Sequence, residues 1–245
     1  MSRVISVSNH KGGVGKTTIV ANLGFSLARQ FKVLLVDLDP QANLSSGLGL
    51  SNCENTLAKY FKEKIHFRSP QVTPYVINPY VHIIPGSPDL LKLEYQVYEA
   101  VRSDSILREI LNPVKKSYDL ILLDCPPSFN IFTINALTCS NLILAPAKPE
   151  IFSVHGIEFL KKFAIAHDIP FKIVFNQINI QSLLHKRIME QVTRDYNGNL
   201  LTNTIRNSIA LAEAFESAQD IFNFKGNSSA ADDFVNLADE LIPYI

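Results

Sequence analysis

Long apolar runs, paired cysteines and net charge are all missing from this 245-residue chain. No stretch approaches the roughly 20 apolar residues of a membrane-spanning helix. The N-terminus carries no charged segment followed by an apolar one, so no secretory signal is expected. The cysteines, Cys53, Cys125 and Cys139, are odd in number and show no C-x-x-C spacing. That excludes a disulfide framework and a structural zinc site, and implies a reducing, cytoplasmic setting. The 23 Lys and Arg balance 23 Asp and Glu, which excludes a dominant basic face while leaving room for a local patch. What is present is ordinary for a soluble globular protein: 47% hydrophobic residues, enough for one α/β domain over 1–245 with a large core. The first strand begins by about Arg3, which leaves no room for a separate N-terminal DNA-reading domain.

Short β-branched runs alternate with amphipathic stretches. Residues 3–8, 32–37, 81–85, 120–124, 142–146 and 172–176 read as strands that are apolar on both faces, as a covered parallel sheet requires. Residues 16–30, 90–111 and 155–167 read as helices, 53–81 as irregular with short helical pieces, and about 229–241 as a closing helix. The alternation predicts a doubly wound, mostly parallel α/β sheet with ligands at the carboxyl ends of its strands.

The first strand runs into SNHKGGVGKTT, residues 8–18. This is nearly the phosphate-binding pattern G-x-x-x-x-G-K-[ST], but His10 stands where the first glycine belongs and a second lysine, Lys11, follows it. Gly12, Gly13, Val14 and Gly15 let successive backbone N–H groups turn inward on phosphate oxygens, with the positive end of the following helix behind them. Lys16 then reaches the β and γ phosphates and the Thr17 hydroxyl ligates Mg²⁺. Asp124 closes the run LILLD and is placed like a Walker-B carboxylate, another Mg²⁺ ligand. In VDLDPQAN, Asp37 and Asp39 both project toward the strand-tip crevice, one toward the metal's water shell and one orienting the attacking water. The set fits nucleotide hydrolysis; a dinucleotide fingerprint, G-x-G-x-x-G, is absent.

KGGVGKTT, LLVDLDPQAN, SSGLG, YDLILLDCPPS, TINAL and KPE-x-FSVHGIEFL follow one another, with IRNSIALAEA and FVNLADEL further on. In order and spacing they resemble the ParA/Soj family of partition ATPases, of the deviant Walker-A class, over nearly the whole chain. The resemblance implies an ATP- and Mg²⁺-dependent ATPase with slow hydrolysis that forms a homodimer around two ATP molecules. Lys11 is then the signature lysine that crosses to the partner's phosphates, in the manner of an arginine finger. It further implies Thr18 on the α-phosphate, Asp39 activating water, and Asn176 either at the adenine or as a structural strand-end residue. The ATP dimer would bind DNA non-specifically on the nucleoid, carry a plasmid or chromosomal cargo, and be reset by a ParB-like centromere-binding protein.

The DNA contacts depart from the family pattern. Arg206 matches the family's IPRN arginine, with Ile205 in place of proline, and Lys225 alone remains where a basic Ser-Arg-Gly stretch is usual. From residue 181 onward five Lys and Arg face nine Asp and Glu, so binding should be weak or salt-sensitive. Lys186, Arg187, Arg206 and Lys225, with Arg194, either form a DNA face or are scattered solvated cations. A MinD-like membrane ATPase, or another cargo-positioning ATPase acting on a protein, is the nearest alternative. Residues 229–245 hold four acids and no Lys or Arg, which disfavours an anionic bilayer. An iron–sulfur reductase would need exposed cysteines at the dimer interface, and a non-catalytic scaffold would lack the water-activating Asp39.

Overall fold

The computed structural model describes residues 2–150 and 154–245. Its frame is a seven-stranded sheet built from β1 (Arg3–Val7), β2 (Val33–Asp37), β3 (Tyr75–Val76), β4 (Val81–Ile84), β5 (Leu120–Asp124), β6 (Leu142–Ala147) and β7 (Phe171–Phe175). The spatial order is β3-β4-β2-β5-β1-β6-β7; only β3 is antiparallel to its neighbour. All of β2, β5 and β6 is buried. Strands covered on both faces cannot alternate apolar with polar, which is why these read as continuous aliphatic runs.

Eleven α-helices are present among the described residues: α1 (Lys16–Leu27), α2 (Asn43–Gly47), α3 (Leu57–Ile65), α4 (Asp89–Glu99), α5 (Ile106–Leu111), α6 (Ile131–Cys139), α7 (Val154–Ala166), α8 (Leu183–Asp195), α9 (Ile209–Glu216), α10 (Ile221–Lys225) and α11 (Ser229–Leu241). Side chains on one sheet face, such as Ile5, Leu35, Leu122 and Leu144, join α1 and α9 to α11 in one cluster around Phe234. On the other face, Val4, Leu34 and Leu123 pack against α3 to α6, while Ile143, Ile173 and Phe175 pack against α7 and α8. The result is the doubly wound layering that the sequence predicts.

The differences from expectation are local. The predicted helix 90–111 is two helices, because Ala100 leaves α4 extended and Arg102 turns left-handed at φ 54°. Asn135 of α6 then holds the restart, accepting from Leu107 N at 2.9 Å and donating to Ser103 O at 2.6 Å. The stretch 53–81 contains α3 and the edge strand β3, and the helix expected over 16–30 ends at Leu27. The other strand and helix ends agree to within a residue or so, the closing helix fully. Residues 151–153, within KPE-x-FSVHGIEFL, lie outside the described residues.

Parallel register sets the level of the strand tips. Val7 and Asp37 both lie opposite Asp124. The loop after β1 and the acidic ends of β2 and β5 therefore meet at one place.

Candidate functional site

The loop between β1 and α1 is held from three sides by amides. Asn9, fully buried, donates from Nδ2 to Pro146 O at 2.7 Å and accepts from Lys11 N at 3.0 Å. Gly156 of α7 lies so close that a Cβ there would sit 2.3 Å from Asn9 Oδ1. Asn176 donates to Val14 O at 2.7 Å and accepts from Gln177 N at 2.9 Å. Both ends of its amide are thus engaged by backbone. Gln177 donates to Gly13 O at 3.4 Å. His10, in the place of the missing glycine, stacks on Phe129 with ring centroids 5.2 Å apart.

Gly15 is required twice over. Its φ is 86°, the left-handed region that penalises a Cβ, and that Cβ would fall 2.1 Å from Asn176 Nδ2. Gly13 adopts φ 71° and Gly12 is exposed. Gly15 also leaves α1 without a side-chain cap. Thr56, Asn130, Ser182, Asp220 and Ser228 cap α3, α6, α8, α10 and α11, while α2, α4, α5 and α9 share the uncapped start of α1. An uncapped N-terminus keeps its orphan N–H donors and dipole for an anion.

Lys16 opens α1 with its ammonium curled back into the loop, donating to Asn9 O at 3.0 Å and Lys11 O at 3.2 Å. Burial pulls its pKa below the usual lysine range, opposed by Asp124 and other nearby acidic groups. Lys11, on the outer side of the loop, forms an ion pair with Glu150. Thr17 and Thr18 line a depression of about 440 Å³ shared with Asn43, Ser46, Phe215 and Glu216.

The carboxylates divide sharply. Asp37 does not project into the crevice as expected. Its Oδ2 accepts from Ser45 N at 2.9 Å and Ser45 Oγ at 2.7 Å, and its Oδ1 from Asp39 N at 3.1 Å. It fixes the turn into α2, and burial raises its pKa to about 6. Asp39, almost buried, keeps one oxygen on Gln41 N at 2.9 Å. Asp124 is fully buried with neither oxygen hydrogen-bonded. The Thr17 hydroxyl lies against it without satisfying it; burial and then the Asp37 charge push its pKa well above the carboxylate range. A buried carboxylate in that condition fits a cation site. Among the described residues no group of three His, Cys, Asp or Glu surrounds it. Mg²⁺ takes one or two protein oxygens and completes its shell with phosphate and water.

The remaining candidates are dispersed. Arg206 forks onto Asp233, with Nη2 to Oδ1 at 2.6 Å and Nε to Oδ2 at 2.9 Å, and Nη2 also reaches Ser229 O at 2.9 Å. Its guanidinium thereby ties the segment after β7 to α11. Lys186 and Arg187 are exposed on α8 and Lys225 on α10. Those helices pack on opposite sides of the sheet, so one protomer does not gather the three. Cys125 and Cys139 are buried and Cys53 half-buried, contrary to what an iron–sulfur bridge needs. No helix among the described residues is long and apolar enough to cross a membrane. Sequence reading missed Asn9, Ser45 and Glu150. Asn9 had one signal, a carboxamide directly after a buried strand.

A family model described as an AAA domain matches residues 2–169. The chromosome-partitioning ATPase Soj of Treponema pallidum is 33% identical over 250 residues, covering 99% of this chain and 98% of that protein. Among solved structures, a putative plasmid partition protein of Borrelia burgdorferi bound to AMPPNP superposes with a TM-score of 0.84 at 23% identity, over all of both chains. Apo McdA of Cyanothece does so with a TM-score of 0.87 at 19% identity, over 98% of this chain and all of that one. On its motifs, its sheet order and its full-length relatives, the chain belongs to the ParA/Soj family of partition ATPases.

Proposed function

We infer that this protein binds ATP with Mg²⁺ in the loop after β1, dimerises in that state, associates with DNA, and is reset by slow hydrolysis. The observation that carries the reading is the opposition of an uncapped α1 N-terminus and a buried Lys16 to an unsatisfied Asp124. One side is built for phosphate and the other for the cation that accompanies it.

The residues divide the work. Backbone N–H groups of residues 12–18 cradle the phosphates, with Thr18 at the α-phosphate. Lys16 exchanges its carbonyl partners for β and γ oxygens, regaining a full charge that burial otherwise penalises. Thr17 and Asp124 would hold Mg²⁺, which neutralises charge on the transferred group. Asp39, with an oxygen remaining beyond its bond to Gln41, orients water for attack. Lys11 stands outside its own pocket and serves the phosphates of a second subunit. Two such cationic loops repel until phosphate lies between them, which makes dimerisation conditional on ATP. A ParB-like protein is the proposed stimulator, with a plasmid or chromosome the cargo on the nucleoid. The exposed Lys186, Arg187 and Lys225 belong to a DNA face only when a dimer assembles it, with Arg206 as its internal brace.

Light scattering with ATP and Mg²⁺ tests the reading. Wild type should dimerise, Lys16→Ala should lose ATP binding, and Lys11→Ala should bind ATP yet stay monomeric. A normal ATP dimer of Lys11→Ala would remove its role across the interface. The acidic balance of the last third favours one second reading, an ATPase acting on a protein cargo. Failure of the ATP dimer to bind DNA even at low salt would select it.

A further inference from the structure

At the amino ends of the strands, opposite the nucleotide loop, the cations lack acidic partners. Five ion pairs occur among the described residues: Lys11–Glu150, Lys64–Glu109, Lys92–Asp89, Lys162–Glu158 and Arg206–Asp233. None involves Arg3, Lys32, Lys115, Lys116 or Lys172, all of which lie at or beside the starts of β1, β2, β5 and β7. Lys32 and Lys172 rest instead over the rings of Tyr118 and Tyr244, at 5.5 and 4.2 Å from the centroids. Arg3 and Lys116 are exposed and Lys115 half-buried.

These cations frame a built depression. Arg3, Lys115 and Lys116, with Ser2, Asn112 and Asn141, line a cleft of about 680 Å³. A neighbouring depression shares Arg3 and Asn141 and adds Arg108 and His167, so the basic surface continues beyond one cavity. Two acidic side chains stand near it, and Ile245 lines the adjoining depression that shares Ser2, Arg3, Lys115 and Lys116. Asp119 spends an oxygen on Lys32 N at 2.8 Å, and Asp168 lies in the neighbouring depression. In a chain with no net charge, this edge concentrates positive charge that the protein itself does not neutralise. Hydroxyl and amide groups among the cations supply the neutral donors common at phosphate contacts.

We propose that this amino-edge cleft binds the phosphate backbone of nucleic acid, and does so without nucleotide. The second half follows from placement. Strand β1 separates Arg3 from the nucleotide loop by about 16 Å, at roughly 3.3 Å per residue. Closure at the carboxyl ends therefore leaves the cleft open in every nucleotide state. The cleft is distinct from the residues of α8 and α10, and it adds a standing contact to the ATP-conditional binding inferred above.

The test is a fluorescence-anisotropy titration of a labelled 30-base-pair duplex, without nucleotide, at several salt concentrations. Wild type should bind at low salt. Lys115→Ala/Lys116→Ala should weaken that binding by about tenfold and flatten the log K against log salt slope by about 2, since each phosphate contact contributes about 0.9. Arg3→Ala should flatten it by a further unit or so, and Lys92→Ala, at a solvent-exposed lysine of α4, should leave the nucleotide-free titration unchanged. Fluorescent-ATP binding by each variant verifies that it is folded. Nucleotide-free binding that is absent in wild type, or unchanged in the amino-edge variants, overturns the proposal. So does displacement of the duplex by equal phosphate concentrations of inorganic tripolyphosphate, which would assign the cleft to small anions. Adding ATP to the same samples tests the conditional DNA contact separately: its appearance with no nucleotide-free binding would keep the proposed function and sink only the cleft.

Discussion

Asp37 and Asp124 end neighbouring strands, face each other in register and are both fully buried, yet their surroundings are opposite. Asp37 receives three hydrogen bonds from Ser45 and the Asp39 backbone. Asp124 receives none. Burial alone therefore does not tell which carboxylate the chain itself satisfies; unmet hydrogen-bonding capacity does. A buried acid whose oxygens are filled from its own chain organises the fold. One left bare carries an electrostatic cost that a ligand can relieve.

The largest effect should come from Asp124→Asn. Hydrolysis should fall by two orders of magnitude or more in a Mg²⁺-dependent ATPase assay, since the amide is a poor cation ligand. The same substitution should raise Tm by a few degrees in the absence of ligand, because it removes a buried charge facing Asp37. A variant that is both inactive and more stable is the signature of a site that stores cost for function. Unchanged turnover would break the contrast at its root.

Asp37→Asn should do the reverse, losing about 1–3 kcal/mol of stability in urea denaturation as Ser45 loses its acceptor. The pH dependence has a defined sign. The folded pKa of about 6 lies above the ordinary value of 3.8, so between those limits the folded state holds more proton than the unfolded one. Stability therefore falls as pH rises from about 4 to 6, and Asp124 acts in the same direction. Asp124→Asn should flatten that fall, and a wild-type curve rising across this window would refute the assigned pKa directions.

Sequence made the frame legible because buried parallel strands and the glycine loop are local patterns. Asp124 was readable for the same reason, as the last residue of an aliphatic run. What remained hidden is long-range. Asn9 meets Pro146, Lys11 meets Glu150 and Asn176 meets Val14 across more than 130 residues. Ser45 was invisible as the partner of Asp37 because a short turn, with Ala42 at φ 51°, folds α2 back onto the strand tip. That turn made Asp37 look available when it is spent. Asn176→Ala tests the hidden class: the loop should lose one buried bond of about 1 kcal/mol. ATP affinity should drop about fivefold with kcat nearly intact, whereas a collapse of kcat alone would give Asn176 a different task.

The smallest effect concerns the other charge with two candidate partners. Lys11 is paired with Glu150 in the single chain, whereas its proposed role is on a neighbour's phosphates. The Glu150 carboxylate is about half exposed, so the pair is screened by solvent and is worth well under the attraction of a polyphosphate. Like Asp37, Glu150 satisfies its partner from within the chain; unlike Asp37, it does so where water competes. Glu150→Gln should therefore strengthen ATP-dependent dimerisation by about two- to fivefold in analytical ultracentrifugation, with ATP affinity of the monomer unchanged. The double variant Lys11→Ala/Glu150→Gln should show no gain over Lys11→Ala, the outcome expected of an effect on dimerisation that runs through that lysine. Weaker dimerisation in Glu150→Gln would mean that the carboxylate stays with Lys11 in the dimer and orients it, which would make the ion pair part of the assembled site instead of a competitor to it.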